Sequence, residues 1–300
     1  MTLPTFLVIG ASRSGTTSLH HYLGQHPEVH MSPVKSPNFF VAGDPQPPWE
    51  GAASRAMARQ WLTERRDYEA LFATAGARRA IGEVSPVYLQ SLRAPARIHG
   101  ACPDARLIAI LREPADRAWA HYLGRRRDGL ESRPDFRAVV EEELTRTLPE
   151  DVAFGSYLGV SRYHHFLAGY FERFPRSRLR VYLFDDLVAD PAGLLRDLFA
   201  FLEVDAEIAI DTARRHNQTG IVRSPILRFL WTRTVRLRIA LRPFLPAAVR
   251  DAGRLGMGRR LRRPELDPEL RARIAHALAP DVERLEHLIG RDLTAWRHAS

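Results

Sequence analysis

The sequence predicts an α/β fold in which a central parallel sheet is covered by helices on both faces. Two observations carry this prediction. Apolar runs of strand length recur along the chain, at residues 5–10, 80–84, 106–111 and 178–184. The segments between them are long enough for helices of about 10 residues or more. Alternating buried strands and helices are typical of parallel sheets, because each connecting helix lies on a face of the sheet.

The first apolar run, TFLVIG at 5–10, leads into a glycine-bearing turn and then a predicted helix. Gly10 and Gly15 have the G-x-x-x-x-G spacing of a phosphate-binding loop. The ATP- and GTP-binding form of this loop has a lysine after the second glycine. This chain has Thr16 and Thr17 there instead, so the loop and its ligand differ from that form.

A turn of this kind exposes backbone N–H groups at the start of a helix, where the helix dipole adds positive potential. We therefore expect it to bind a phosphate, with Arg13 as a mobile positive charge. The predicted hydrogen-bond donors are consecutive: Ser14, Gly15, Thr16, Thr17 and Ser18. A glycine turn without a ligand is the structural alternative, because such turns are common before helices.

The proline-rich segment 26–51 is predicted to form a long loop over the carboxyl edge of the sheet, where open α/β sheets bind ligands. It contains Lys35, the only lysine of the chain. The next strand, 80–84, contains Glu83 near its end. We expect that carboxylate to face the same crevice.

The strand at 106–111 is followed by Arg112 and Glu113. A guanidinium at this strand end can bind a second phosphate bidentately. Two phosphate sites on one sheet edge imply a nucleotide that is phosphorylated in two places. Hydrolysis of ATP or GTP needs a magnesium site, usually with an aspartate at the end of a later strand. Because Arg112 and Glu113 stand there, a metal-dependent NTPase is disfavoured.

The last strand, 178–184, precedes the clearest predicted helix, 190–202. Asp190 is its predicted N-cap and Pro191 occupies the first helical position. Apolar side chains at helical spacing predict one buried face: Leu194, Leu195, Leu198, Phe199 and Leu202.

Composition limits the possible functions. The chain has 300 residues, of which 45% are apolar, enough for a packed core. Its single cysteine, Cys102, cannot form an internal disulfide, so a reducing compartment is expected. The sequence shows no secretory signal and no apolar run of about 20 residues. These features predict a soluble, cytoplasmic protein.

The formal net charge of +9 favours anionic ligands, but it does not choose between nucleic acid, a membrane surface and a phosphorylated cofactor. Nucleic-acid binding is disfavoured because no recognition motif accompanies the charge. Residues 226–263 combine arginines with apolar side chains. They predict either a helix at the surface of an anionic membrane or an amphipathic cap packed on the fold.

Two segments together resemble the cofactor-binding signatures of the PAPS-dependent sulfotransferases. They are GASRSGTTSLHHYL at 10–23 and LREPADRAWAHY at 111–122. The similarity extends over about residues 5–225 and is closest to bacterial members related to carbohydrate sulfotransferases. It implies a P-loop-like three-layer sandwich that forms a single domain over residues 1–300. The cofactor it implies is 3'-phosphoadenosine 5'-phosphosulfate (PAPS), with PAP as the product and no metal.

The resemblance also implies roles for individual residues. The first loop, with Arg13, binds the 5'-phosphosulfate, and the segment beginning at Arg112 binds the 3'-phosphate. Tyr163 is expected near the nucleotide, with burial in a helix as the alternative. The segment HNQTGIVRSP resembles a late loop over the nucleotide, with a solvated loop as the alternative. Its predicted contacts are Gly220, Arg223 and Ser224.

The implied reaction is transfer of a sulfuryl group to a hydroxyl or amine of a glycan, lipid or secondary metabolite. Arg13 and Lys35 would stabilise the charge that develops on the leaving phosphate. A general base would take the proton of the acceptor. Related carbohydrate sulfotransferases have a glutamate for this purpose where this chain has Ser36, which cannot act as a base near neutral pH.

Glu83 is the best remaining candidate for the base, with an ion pair to Arg13 or a hydrogen bond to a loop amide as its structural alternative. His20 and His21 are weaker candidates, because they lie more than a turn into the first helix. Two further departures concern Ala120, in place of a serine, and Val84, in place of a lysine. They raise a second hypothesis, a nucleotide-binding protein with weakened catalysis.

Overall fold

The computed structural model has the predicted parallel sheet at its centre. It describes residues 2–42, 61–145, 156–213, 221–222, 261–262 and 264–297. The strands of the sheet are β1 (Phe6–Gly10), β2 (Val29–Met31), β3 (Ala80–Val84), β4 (Arg106–Leu111) and β5 (Leu179–Leu183). Their order is β2-β3-β1-β4-β5, and every neighbouring pair is parallel.

The sequence located four of these strands within one residue at each end and missed β2. The segment that contains β2 was predicted to be loop throughout, and that prediction was wrong for Val29–Met31. A strand of three residues is too short to show a periodic pattern, and the central residue of this one is the polar His30. A 3₁₀ helix at Phe39–Val41 adds a second ordered element to the same segment.

Helices connect and cover the strands. They are α1 (Thr16–Leu23), α2 (Arg65–Ala70), α3 (Ala94–Ala101), α4 (Pro114–Asp128), α5 (Phe136–Thr145), α6 (Tyr163–Phe171), α7 (Phe184–Ala189), α8 (Pro191–Phe201), α9 (Pro268–Ile289) and α10 (Thr294–Arg297). Two short strands, β6 (Ile221–Val222) and β7 (Leu261–Arg262), form a separate antiparallel pair.

Alternate residues of β1 lie on opposite faces of the sheet and belong to two different cores. Leu7 and Ile9 pack in a core that is covered by α2, α3, α6 and α9. Phe6 and Val8 pack in a second core, covered by α1 and α8. The fold is therefore a three-layer sandwich with the sheet in the middle, which confirms the predicted class.

The predicted helix at 190–202 is confirmed as α8. Asp190 is its N-cap, and Oδ1 accepts a hydrogen bond from the N–H of Gly193 at 2.8 Å. The five predicted apolar residues are all buried against the sheet. The N-cap and the apolar face thus indicate the same helix, which is why the sequence predicts α8 well.

Helix α9 spans 22 residues and packs in the core that contains Leu7 and Ile9. Its buried Asp281 accepts hydrogen bonds from the N–H groups of His164 and His165, at 3.0 and 3.2 Å. These two groups belong to the first turn of α6, where N–H groups have no helical acceptor. A side chain of α9 therefore caps α6.

Some sequence predictions fall on residues that the structure does not describe. Most of the basic segment 226–263 lies outside the described residues, as do Gly220, Arg223 and Ser224. Within the described ranges, no helix is both long and apolar enough to cross a membrane.

We predict that Asp190→Ala lowers the free energy of unfolding by about 1 kcal/mol, because α8 loses the acceptor for one of its first N–H groups. Urea denaturation would measure the loss. Asp190→Asn keeps an acceptor oxygen and should retain most of the stability. Equal destabilisation by the two variants would show that the loss does not come from the missing acceptor oxygen.

Candidate functional site

Three strand ends meet at the carboxyl edge of the sheet. β1 leads into the loop 11–15, β3 ends one residue after Glu83, and Arg112 follows β4 directly. Since β1 lies between β3 and β4, the three segments are neighbours. Ligands of open α/β sheets bind at this edge.

The loop 11–15 ends in Gly15, whose φ of +92° lies in the left-handed region that glycine adopts easily. A Cβ at this position would also lie 2.8 Å from Cδ2 of Leu187 on α7. Helix α1 begins at the next residue, Thr16. The loop therefore presents the free N–H groups of a helix start to the sheet edge, an arrangement that binds anions.

The hydroxyl groups of this loop lie at different depths. Ser14 is fully buried, and its Oγ has no hydrogen-bond partner among the described residues. Thr16 and Ser18 are buried, whereas Thr17 is half-buried. Buried hydroxyls are rarely left without a partner in folded proteins, so Ser14 Oγ marks a place for a ligand or water atom.

Arg13 lies against helix α4. Its guanidinium occupies the space over Gly124, where a Cβ would overlap it. Burial lowers the pKa of Arg13 to about 10, and Asp128 opposes this shift. Neighbouring positive charges lower the pKa further: those of Arg127, Arg117 and Arg125. Arg13 is still protonated at neutral pH, so the loop borders a concentrated positive charge.

Arg112 is held on several sides. Its Nη2 donates to Oδ2 of Asp116 at 2.8 Å, and Nη1 donates to the backbone carbonyl of Arg13 at 3.5 Å. The guanidinium lies over the ring of Phe184, with Cζ 4.7 Å from the ring centroid. Nε is buried and has no partner within the described ranges. The side chain is therefore fixed while one of its strong donors stays unused.

Asp116 and Glu113 connect Arg112 to helix α9. Arg271 of α9 donates to Oδ1 of Asp116 at 2.6 Å and to Oε2 of Glu113 at 2.9 Å. Burial alone would raise the pKa of Asp116, but Arg112 and Arg271 outweigh it and lower the pKa to about 2. Glu113 also accepts hydrogen bonds from two N–H groups at the start of α4, which makes it the N-cap.

Tyr163 lies beneath Arg112. It is fully buried, and its hydroxyl donates to the backbone carbonyl of Arg112 at 2.9 Å. Burial raises the pKa of Tyr163 to about 12, so the hydroxyl keeps its proton at neutral pH. These contacts agree with burial in a helix, the alternative that the sequence analysis gave for Tyr163. A direct contact between Tyr163 and a nucleotide stays a prediction.

Helix α4 carries further polar groups beside the loop. Arg117 is fully buried, and its Nε donates to Oγ of Ser161 at 2.7 Å. Burial and the neighbouring arginines hold the pKa of His121 well below its ordinary value, so this imidazole is neutral at pH 7. Ala120, the position at which a serine hydroxyl is expected in the family, is fully buried on the same helix.

Glu83 is fully buried among hydroxyl groups. Oγ of Ser85 donates to Oε2 at 2.7 Å, and the hydroxyl of Tyr68 donates to Oε1 at 3.3 Å. The side chain of Tyr88 also lowers the pKa of the carboxyl group. Burial raises the pKa of Glu83 to about 7, although the hydroxyl groups lower it. The carboxyl group thus titrates near neutral pH.

Lys35 and Ser36 lie beside the end of β3. The N–H of Ser36 donates to the carbonyl of Val84 at 2.9 Å. The positive charge of Lys35 lowers the pKa of Glu83, in opposition to burial. No hydrogen bond or ion pair in the described part of the chain joins Glu83 to Arg13, which the sequence offered as an alternative partner.

The sequence predictions did not identify three residues of this edge. Asp116 follows Arg112 by four residues, the spacing of helical ion pairs. This spacing could have identified Asp116 as the partner of Arg112. Gly124 interrupts a helical pattern, which often signals a close approach by another group. Arg271 is separated from Asp116 by 155 residues, and no local pattern points to it.

The edge as a whole fits a ligand with negatively charged phosphates. It combines the free N–H groups of a helix start with two arginines, Arg13 and Arg112. Among the described residues that lack a hydrogen-bond partner for a buried donor are two of this edge, Ser14 through Oγ and Arg112 through Nε. Charged acceptors such as phosphate oxygens form the strongest hydrogen bonds with such donors.

Similar proteins include sulfotransferases that are named for heparan sulfate. Heparan sulfate glucosamine 3-O-sulfotransferase 6 of Mus musculus is 30% identical over 192 residues, which cover 63% of this chain and 49% of the relative. A bifunctional heparan sulfate N-deacetylase/N-sulfotransferase of Drosophila melanogaster is 25% identical over 213 residues, 67% of this chain and 20% of the relative. The chain thus spans half of these relatives or less.

A solved sulfotransferase structure is similar to this chain over nearly its whole length. The crystal structure of a sulfotransferase from Alicyclobacillus acidocaldarius matches with a TM-score of 0.75 and 29% identity, covering 99% of this chain and 100% of that one. Residues 4–207, more than half of the chain, match the family described as Sulfotransferase family. That range includes the loop 11–15, Glu83 and Arg112, and the chain therefore belongs to the sulfotransferase family.

Proposed function

We propose that the protein transfers the sulfuryl group of PAPS to a hydroxyl or amine of a glycan, lipid or secondary metabolite. One observation carries the proposal. Arg13 and Arg112 follow adjacent strands of the sheet, and beside them Ser14 Oγ and Arg112 Nε are buried donors with no partner in the described ranges. A donor nucleotide with phosphates at two positions would give acceptors to both donors, Ser14 Oγ and Arg112 Nε.

The residues of the edge have distinct roles in this proposal. When bound, PAPS supplies an activated sulfuryl group and leaves as PAP. Backbone N–H groups and hydroxyls of residues 14–18, at the end of the loop and the start of α1, would hold its 5' side. Arg13 and Lys35 stabilise the negative charge that develops as the sulfuryl group departs. Arg112, already fixed by Asp116, holds the 3'-phosphate. Gly220, Arg223 and Ser224 remain proposed contacts of the nucleotide.

The names of the relatives favour a glycan among the acceptors. Both enzymes compared above are named for heparan sulfate, and one of them for its glucosamine. We therefore rank an amino-sugar hydroxyl or amine first and a lipid or secondary metabolite after it. A cytoplasmic location is part of the proposal, supported by the single cysteine, Cys102, which is free and buried.

Glu83 is the proposed general base. A base works best when its pKa is near the operating pH, and burial brings the pKa of Glu83 to about 7. Its complete burial weighs against direct contact with an acceptor, since a base must come within about 3 Å of the proton it takes. Ser36, at the position of the usual glutamate, offers no competing carboxylate.

The burial of Glu83 also favours the second candidate, a PAP- or PAPS-binding protein with weakened catalysis. The substitutions at Ser36, Ala120 and Val84 support the same alternative. Product formation from labelled PAPS, measured with glucosamine-containing glycans, lipids and small hydroxyl compounds, separates the two candidates. Sulfated product identifies a transferase, whereas tight binding of PAP without product from any acceptor identifies a binding protein.

The first prediction from this proposal concerns the cofactor. Calorimetry should show that PAP binds far more tightly than AMP, because only PAP has a phosphate for Arg112. Arg112→Ala should weaken PAP binding by about 1.5 to 3 kcal/mol, the range for a charge-assisted hydrogen bond. Equal affinities of the wild type for PAP and AMP would contradict the assignment.

Arg106→Ala is the matched control for this measurement. Arg106 begins the same strand, at its opposite end, and forms an ion pair with Glu203. It should leave PAP affinity unchanged. Comparable losses from both substitutions would indicate a general disturbance of β4.

The second prediction concerns the base. Glu83→Gln keeps the size of the side chain and should lower turnover by about 10² to 10⁴, the usual contribution of a positioned base. PAP affinity should stay the same. Because Glu83 must be ionised to accept a proton, wild-type turnover should rise with pH to a plateau above about 7. Glu83→Gln should lack that rise, and Ser36→Ala should retain both the rise and most of the turnover.

A stability measurement separates this role from a purely structural one. Burial raises the pKa of Glu83 from 4.5 to about 7, so the folded state binds a proton that the unfolded chain has released between these values. Wild-type stability should therefore fall as pH rises through this window, and Glu83→Gln should remove that part of the decline. If the variant shows this change while turnover stays normal, Glu83 is structural and the base lies elsewhere.

A further inference from the structure

The geometry points to Arg271, on helix α9, as a positioning residue that fixes Arg112 through Asp116. The inference rests on the proposed function, because it assigns Arg271 a part in binding the donor nucleotide. It also extends the site beyond residues 4–207, the range that matches the family.

A single carboxylate lies between the two guanidinium groups. Oδ2 of Asp116 accepts from Nη2 of Arg112 at 2.8 Å, and Oδ1 accepts from Nη2 of Arg271 at 2.6 Å. Each oxygen therefore has its own cation. This arrangement fixes the plane of the Asp116 carboxylate. It thereby fixes the orientation of the Arg112 guanidinium that donates to this carboxylate.

Arg271 is itself anchored at a second point. Its Nη1 donates to Oε2 of Glu113 at 2.9 Å, and Glu113 caps the start of α4. The guanidinium thus bridges both carboxylates of the first turn of α4. Its side chain is only a quarter exposed, so this bridge is partly shielded from solvent.

The bridge affects Arg112 in two ways. It restricts the rotamers of Asp116, so less freedom remains to be lost when a phosphate binds. It also shares the charge of Asp116 between two cations. Without Arg271, Asp116 would pair with Arg112 alone and compete more strongly with a phosphate for that guanidinium. Both effects predict weaker binding of the phosphate that Arg112 contacts.

Arg271→Gln tests the inference, and Arg273→Gln is its matched control. Arg273 lies two residues further along α9 and pairs with Glu141 at 2.6 Å, on helix α5. By calorimetry, Arg271→Gln should weaken PAP binding by about tenfold, the scale of one ionic hydrogen bond, with AMP affinity unchanged. Arg273→Gln should change neither affinity. A merely structural role would lower the affinities for PAP and AMP together.

A double-mutant cycle gives the second readout. In the Arg112→Ala background, Arg271→Gln should cause no further loss of PAP affinity, because the residue that it positions is gone. Arg271→Lys restores the charge but not the two-pronged contact, so it should recover part of the PAP affinity. Circular dichroism and thermal unfolding would establish that each variant is folded.

The results of these experiments separate failure of the proposed function from failure of the inference about Arg271. Wild-type PAP affinity no higher than that for AMP would overturn the proposed function, and this inference with it. The second result would be that the wild type prefers PAP and that Arg271→Gln binds PAP and AMP as tightly as the wild type does. This result would overturn the inference alone. An equal tenfold loss in the wild-type and Arg112→Ala backgrounds would show that Arg271 acts independently of Arg112, and would also overturn it.

Discussion

The parallel pairing of β1 with both β3 and β4 is the constraint on which the site depends. It turns three distant parts of the sequence into neighbours at one edge, and it does so through backbone hydrogen bonds that require no particular side chain. The register does require one residue type. Phe6 lies opposite Gly82, and a Cβ at Gly82 would overlap the Phe6 ring. Close packing between Phe6 and Gly82 therefore fixes the register of β1 and β3, and with it the position of the loop 11–15 relative to Glu83.

The second determinant of the site is an uneven distribution of charge. Two acids near Arg112, Asp116 and Glu113, are held by Arg271. Around Arg13 the balance is different, because Arg127, Arg117 and Arg125 all lower its pKa and Asp128 opposes them. Burial and repulsion there lower the pKa of Arg13, which means that the protonated form is under electrostatic strain. A bound anion relieves this strain, so the unbalanced charge favours phosphate over neutral ligands.

Much of this structure follows from the sequence, and the part that does not has a physical reason. Buried strands such as 80–84 and the capped helix at 190–202 were predictable, because burial pattern and capping act over a few residues. The strand Val29–Met31 was missed, since three edge residues carry no period. The environment of Glu83 was also beyond prediction. One hydroxyl partner of Glu83 is Tyr68, which no local sequence pattern links to β3. The pKa of Glu83 also depends on how deeply the carboxyl group is buried, which the sequence does not show.

The position of α9 has a practical consequence for defining the smallest unit that folds. Residues of α9, such as Val282 and Leu285, fill the same core as Leu7 and Ile9 of the central strand. Trp296, near the end of the described chain, lies 6.3 Å from the ring of Tyr163 between ring centroids. A fragment that stops where the family similarity stops, at residue 207, would therefore open the hydrophobic core directly beneath Arg112. Truncation limits for expression should follow the packing of this core.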